Sequence, residues 1–164
     1  MHQITTVLGA VPPRQLGFCQ CHEHLWINRG YPATLYAHQC IDDEEKSLAE
    51  LKRYYQAGGR AIVDAQPIGC GRNAAMLNML AQNSRVHIVA STGFHKLQFY
   101  PPGHWMHTMD EQALTRLFIG ELTQGMYQDG DEGLPAKQGQ TRAGQVKAAL
   151  DAGAEDFAAL EDVY

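Results

Sequence analysis

Two histidines near the start of the chain are the side chains best suited to metal chemistry. His22 and His24 stand in the run CHEH at 21–24, where an apolar segment that reads as a strand ends. Because successive side chains of a strand point to opposite faces, the two imidazoles would face the same way and could share one metal ion. Chance is the alternative, since this spacing alone is a weak motif. The pair therefore predicts a metal site in the first strand.

The four cysteines are predicted to be small buried side chains rather than metal ligands. Their positions, 19, 21, 40 and 70, do not give the paired CxxC spacing of a structural zinc site. A regular strand would also separate the close cysteine pair from the histidines. It would place Cys19, Cys21 and Glu23 on one face, and Phe18, Gln20, His22 and His24 on the other.

Composition indicates one globular domain over residues 1–164, with 45% hydrophobic and 19% charged residues. The net charge of −5 gives no broad basic surface, so a small molecule is a better candidate partner than nucleic acid. No stretch approaches the roughly 20 apolar residues that span a bilayer, and the first residues do not resemble a signal peptide. We therefore expect a cytoplasmic protein that does not bind membranes.

Short apolar runs alternate with amphipathic helical segments four times, which is typical of βα repeats in an α/β fold. Strands are predicted at 16–22, 61–65, 86–90 and, more weakly, 141–150. Helices are predicted after the caps Asp42 and Asp43 through residue 55, at 73–82, after Asp110, and at 155–163. The long loops follow strands, so a site is expected at the carboxyl ends of the strands.

Four segments in register resemble the phosphotriesterase family of the amidohydrolase superfamily. They are TTVLG at 5–9 with CHEHL at 21–25, AGG at 57–59 with IVD at 62–64 and GR at 71–72, IVASTGF at 88–94, and RAGQVK at 142–147. The resemblance implies a TIM (β/α)8 barrel, which takes about 250 residues. These residues supply about four βα units, so a partial barrel, the N-terminal half of a metal-dependent hydrolase, is expected.

The resemblance also implies a metal centre. The two matching histidines of the family bind the more buried of two divalent ions, and the lysine matching Lys147 is carbamylated by carbon dioxide and bridges both. His22, His24 and a carbamate oxygen would give zinc, the expected ion, three ligands, with water as the fourth. Taken alone, Lys147 would instead be a surface lysine on a helix. The family's later ligands, two histidines and an aspartate, have no matching positions in this sequence.

The function implied is hydrolysis of an ester, lactone or phosphoester by metal-activated hydroxide. A second hypothesis is a non-catalytic truncated remnant, or a half-barrel that forms a homo-oligomer or joins a complementary half-barrel chain, because a half-barrel has open strand edges. A third is a flavodoxin-like binding module. Gly69-Cys70-Gly71 argues against that module, because it lacks the third spaced glycine of a dinucleotide fingerprint.

Several further residues are candidates for the site. Asp64 ends the second strand and could orient a ligating histidine or cap the following turn. His95 stands where many members of the family carry a tyrosine that faces the substrate, a departure that bears on substrate choice. Trp26 and Tyr100 are candidate pocket walls, with loop packing as the alternative.

His104 and His107 have the spacing of helical metal ligands. The prolines at 101 and 102 favour a loop there, so we predict that both histidines pack in a lid.

Overall fold

The computed structural model describes residues 3–127; the predicted fourth strand, Lys147 and the predicted last helix lie outside them. The chain begins with a short antiparallel hairpin of β1 (Ile4–Thr6) and β2 (Gly9–Val11). Three parallel strands follow in the order β3 (Phe18–Glu23), β4 (Gly59–Asp64) and β5 (His87–Ala90). The sequence patterns predicted these three strands and their parallel arrangement, but not the hairpin.

Helices connect the strands: α1 (Tyr31–Leu35) and α2 (Glu44–Gln56) after β3, α3 (Ala74–Ser84) after β4, and α4 (Glu111–Thr123) after β5. The three long helices begin where a side-chain oxygen accepts an amide hydrogen three residues on. The caps are Asp43 at 3.1 Å, Asn73 at 3.0 Å and Asp110 at 2.7 Å. Such caps satisfy donors that a helix start leaves free, so the predicted helix starts are confirmed. Within residues 3–127, none of the helices is long and apolar enough to cross a membrane.

Both faces of β4 and β5 are buried, whereas the residues of β3 are half-buried or exposed. Ile62 and Ile88 pack on one face with side chains of α2 and α3. Val63 and Val89 pack on the other face with Leu16, at the end covered by the hairpin. Strands covered on both faces read as continuous apolar runs, and this two-sided burial is the arrangement of a barrel wall. The described residues form a parallel sheet with helices and no closed barrel.

The pairing of β3 with β4 is irregular between Gln20 and Glu23, the segment that contains His22. Gln20 pairs with Ile62 and Glu23 pairs with Asp64, so β3 carries one extra residue in between. This bulge changes the alternation of faces. Gln20 and Glu23 both line a groove beside α2, whereas Cys19 packs in the cluster on the opposite face. The prediction of regular alternation, which placed Glu23 on the same face as Cys19, is therefore wrong.

Candidate functional site

A cavity of about 310 Å³ opens beyond the carboxyl ends of the three parallel strands. Its walls come from the segments that follow each strand, as the loop pattern predicted. The lining residues are His22, His24, Ala65, Pro67, Ser91, Thr92, Gly93, Phe94, His95 and Lys96. Three histidines from two separate segments therefore meet at one cavity.

His22 and His24 lie side by side in this cavity. Their ring centroids are 5.3 Å apart and the ring planes stand at 78°. Burial and the neighbouring His22 ring lower the pKa of His24, although a contact with the Gln66 side chain opposes the shift. A lowered pKa favours the neutral imidazole, which is the form that binds a metal ion.

The donor atoms of this pair fit one side of a divalent-metal site. The Nδ1 atom of His24 is buried and has no hydrogen-bond partner within residues 3–127, which is an unusual state for a polar atom. The same residues contain no group of three or more His, Cys, Asp or Glu side chains able to hold a metal. Two imidazoles alone do not complete a zinc site, and Lys147, the predicted third ligand, lies outside the described residues.

Asp64 holds the segment after the histidines in place through the backbone. Its Oδ2 atom accepts the Leu25 amide hydrogen at 2.8 Å, and its Oδ1 atom accepts that of Gln66 at 3.1 Å. The carboxyl group is fully buried, and desolvation raises its pKa to about 7. Of the two roles considered, these contacts are those of a turn cap. Asp64 also fixes the backbone of Leu25, the residue next to His24, and makes no hydrogen bond to the His24 imidazole within the described residues.

His95 is the member of the predicted substrate-contacting set that lines the cavity. Its backbone amide donates to the hydroxyl of Tyr100 at 2.8 Å, and its Nδ1 atom accepts the Lys96 amide at 2.7 Å. Burial, followed by the charges of His24 and Lys96, lowers the pKa of His95. Tyr100 is buried and supports the His95 backbone. Trp26 lies in the core, where its Nε1–H donates to Asn28 at 2.7 Å.

A buried ion pair beside the cavity was not predicted. The guanidinium of Arg72 binds the carboxylate of Glu121 through two hydrogen bonds, one of them 3.0 Å long, and both side chains are at most 1% exposed. The hydroxyl of Thr92 also donates to Glu121, at 2.5 Å, so α4 supports the cavity wall. The sequence did contain one indication of this pair. Glu121 stands four residues after Leu117, and that spacing puts it on the core face of the helix.

The second histidine pair lies in a packed loop. His104 is buried, accepts the Met106 amide at 3.2 Å and packs against the rings of Tyr100 and Trp105. Its ring centroid is 6.5 Å from that of His107. The contacts of His104 are those expected of a packed loop, whereas His107 is exposed, so the prediction that both histidines pack is wrong for His107.

The cysteines are free thiols: Cys70 is buried, and Cys19, Cys21 and Cys40 are half-buried. Burial and the neighbouring Cys21 raise the pKa of Cys19 to about 11, so this thiol stays protonated at neutral pH.

The sequence of the chain is similar to that of a known protein family and of several of its members. Residues 2–137 match the phosphotriesterase family. The chain is 30% identical over 148 residues to the phospho-furanose lactonase of Mycoplasmopsis agalactiae, covering 88% of this chain and 42% of that protein. It is 28% identical over 119 residues to the aryldialkylphosphatase of Saccharolobus solfataricus, and the match covers 71% of this chain and 37% of that protein.

A solved structure shows the same architecture. The crystal structure of an amidohydrolase from Mycoplasma synoviae has a TM-score of 0.78 and 27% identity, covering 87% of this chain and 41% of that chain. The chain thus spans about two fifths of the length of these relatives. Its parallel sheet and helices agree with a partial TIM barrel, so the predicted fold class is confirmed.

Proposed function

The chain belongs to the phosphotriesterase family, and we propose that its cavity carries the first pair of metal ligands of a metal-dependent hydrolase. The observation that carries the proposal is the adjacent placement of His22 and His24 at the carboxyl edge of the sheet, where the buried Nδ1 atom of His24 has no described partner. Two imidazoles that line one cavity suit a shared cation.

The proposed substrate is a small ester, lactone or phosphoester. The names of two relatives, phospho-furanose lactonase and aryldialkylphosphatase, support the lactone and phosphoester classes. The cavity, at about 310 Å³, is within the range of small-molecule sites. A divalent ion in such a site polarises the scissile group and lowers the pKa of bound water.

The chain's own residues have separate roles in this proposal. His22 and His24 hold the ion, with Lys147, as a carbamate, proposed as the third ligand and zinc as the ion. Asp64 fixes the backbone after His24 through the Leu25 amide, which limits movement of the ligand.

Metal content and hydrolysis test the proposal. The chain is supplied with zinc and bicarbonate and dialysed; bound zinc is then measured by atomic emission, and hydrolysis is assayed on a lactone, an aryl ester and a phosphotriester. We expect about one ion per chain, lost in His22→Ala and in His24→Ala. His107→Ala is the matched control, because His107 is exposed in the loop and away from the cavity lining. The proposal would be contradicted if His22→Ala and His24→Ala bound as much zinc as the wild type. It would also be contradicted if the wild type bound less than one ion per chain and showed no hydrolysis.

A further inference from the structure

We propose that His95 and Lys96, on the loop after β5, form a binding subsite for a phosphate monoester group carried by the substrate. The inference rests on the proposed function, since it assumes that the substrate enters the cavity of His22 and His24. It can nevertheless be tested without a metal ion, so the two proposals can fail separately.

The charge of the cavity wall supports an anionic ligand. The polar side chains that line it are His22, His24, Ser91, Thr92, His95 and Lys96, and none of the described lining residues is acidic. The nearby buried carboxyl groups of Asp64 and Glu121 are both engaged, the first by backbone amides and the second by Arg72. A cavity lined by a lysine and by hydrogen-bond donors, with no acidic side chain in its lining, attracts an anion.

The hydrogen bonds of His95 fix which ring nitrogen carries the proton. The Lys96 amide donates to Nδ1 at 2.7 Å, so a neutral ring must carry its hydrogen on Nε2. The ring packs edge-on against Phe99, with 4.2 Å between centroids and 71° between ring planes, and the backbone amide donates to the Tyr100 hydroxyl. His95 therefore offers a pre-oriented N–H donor to a ligand in the cavity.

The loop that carries these side chains adds backbone donors. Within residues 3–127, the amide hydrogens of Thr92, Gly93 and Phe94 have no acceptor, and all three residues line the cavity. Gly93 has a φ of +129°, a backbone conformation that glycine adopts most readily. Successive free amides, one imidazole N–H and one ammonium form a donor set suited to the several oxygens of a phosphate dianion. A carboxylate has fewer oxygens than a phosphate group and would therefore accept hydrogen bonds from fewer of these donors.

Inorganic phosphate is the probe, applied to the full chain in EDTA and followed through backbone amide shifts in NMR. We expect phosphate to shift the amides of residues 92–96 and to bind more tightly than acetate. Lys96→Gln should weaken phosphate binding by about tenfold, the effect of losing one charge-assisted hydrogen bond. His95→Phe, which removes the donor and keeps the ring, should weaken it by a similar factor.

Lys52→Gln is the matched control, because it removes the same charge from an exposed position on α2, and it should leave phosphate binding within about twofold of the wild type. Amide spectra recorded without phosphate confirm that each variant is folded. Phosphate affinity that is equal in the wild type and Lys96→Gln, or acetate that binds as tightly as phosphate, would overturn the proposal. Because no metal is present, neither outcome depends on the metal ligands.

Discussion

The phenol ring of Tyr54 occupies the space that a side chain at Gly59 would need. A Cβ atom built on Gly59 would lie 2.2 Å from Cζ of Tyr54. The Tyr54 hydroxyl accepts the Gln20 amide hydrogen at 3.0 Å and donates to the Ala61 carbonyl at 2.8 Å. One side chain of α2 thus joins two strands where their register shifts, just before the strand reaches His22.

Removing the Tyr54 hydroxyl should destabilise this junction. In Tyr54→Phe the Gln20 amide and the Ala61 carbonyl lose a partner, so we expect the free energy of unfolding to fall by about 1 to 2 kcal/mol. Urea denaturation measures the change. Tyr55→Phe is the control, because the Tyr55 hydroxyl makes no hydrogen bond within the described part of the chain, and it should change stability by less than about 0.5 kcal/mol. Equal effects would show that the hydroxyl contributes nothing specific.

Gly59→Ala should be destabilising because of Tyr54 rather than because of its own backbone. Its added methyl would overlap the ring, and overpacking typically costs about 1 to 3 kcal/mol. A double-mutant cycle separates the two causes. In a Tyr54→Ala background the same substitution should cost less than about 0.5 kcal/mol. If Gly59→Ala lowered the free energy of unfolding by the same amount in that background, the cause would be the backbone at residue 59 and not the Tyr54 ring.

Local signals explain the parts of the fold that the sequence predicted. The helix caps Asp43, Asn73 and Asp110 each act on an amide three residues away, so the interaction lies within one short segment. The continuous apolar runs of β4 and β5 reflect burial on both faces, which depends on residue type alone. The positions of the three parallel strands, the three long helices and the histidine pair could therefore be predicted, whereas those of the hairpin and of α1 could not.

Interactions between distant segments explain what was missed. The bulge in β3 is held by Tyr54, 34 residues after Gln20. The Arg72–Glu121 pair joins residues 49 apart. Neither pairing leaves a pattern in its own segment, so regular alternation was the natural but wrong expectation for β3. Trp26 and Tyr100 were proposed as pocket walls from residue type, which does not distinguish a packed aromatic side chain from one that contacts a ligand.

Breaking the buried ion pair should be costly. Glu121→Gln leaves the Arg72 guanidinium buried without its counter-charge, and such a loss typically costs about 3 to 5 kcal/mol. Glu50→Gln is the control, because it breaks the exposed pair with Arg53 and should change stability by at most about 0.5 kcal/mol. Urea denaturation of both variants gives the comparison. Similar small changes would show that solvent or other groups compensate the buried guanidinium.

The buried carboxyl group of Asp64 should make stability depend on pH in a predictable direction. Its pKa is raised from 3.8 to about 7 by desolvation, so between these values the folded chain keeps a proton that the unfolded chain releases. Stability falls with rising pH wherever the folded state binds more protons. The contribution of Asp64 is therefore greatest below about pH 4, decreases up to about pH 7 and is constant above it. The full decrease is at most about 4 kcal/mol.

Asp64→Asn isolates this effect, because asparagine stays neutral over the whole range. At pH 4 the variant should be the less stable of the two, because its NH2 group cannot accept one of the two amide hydrogens that the Asp64 oxygens accept. Its stability relative to the wild type should then rise between pH 4 and pH 8. The histidines with lowered pKa titrate in both proteins, so their contributions cancel in the difference. Urea denaturation from pH 4 to pH 8 measures that difference. A difference that stays constant with pH would mean that Asp64 is already ionised at pH 4, held so by the Leu25 and Gln66 amides and the charge of Arg72.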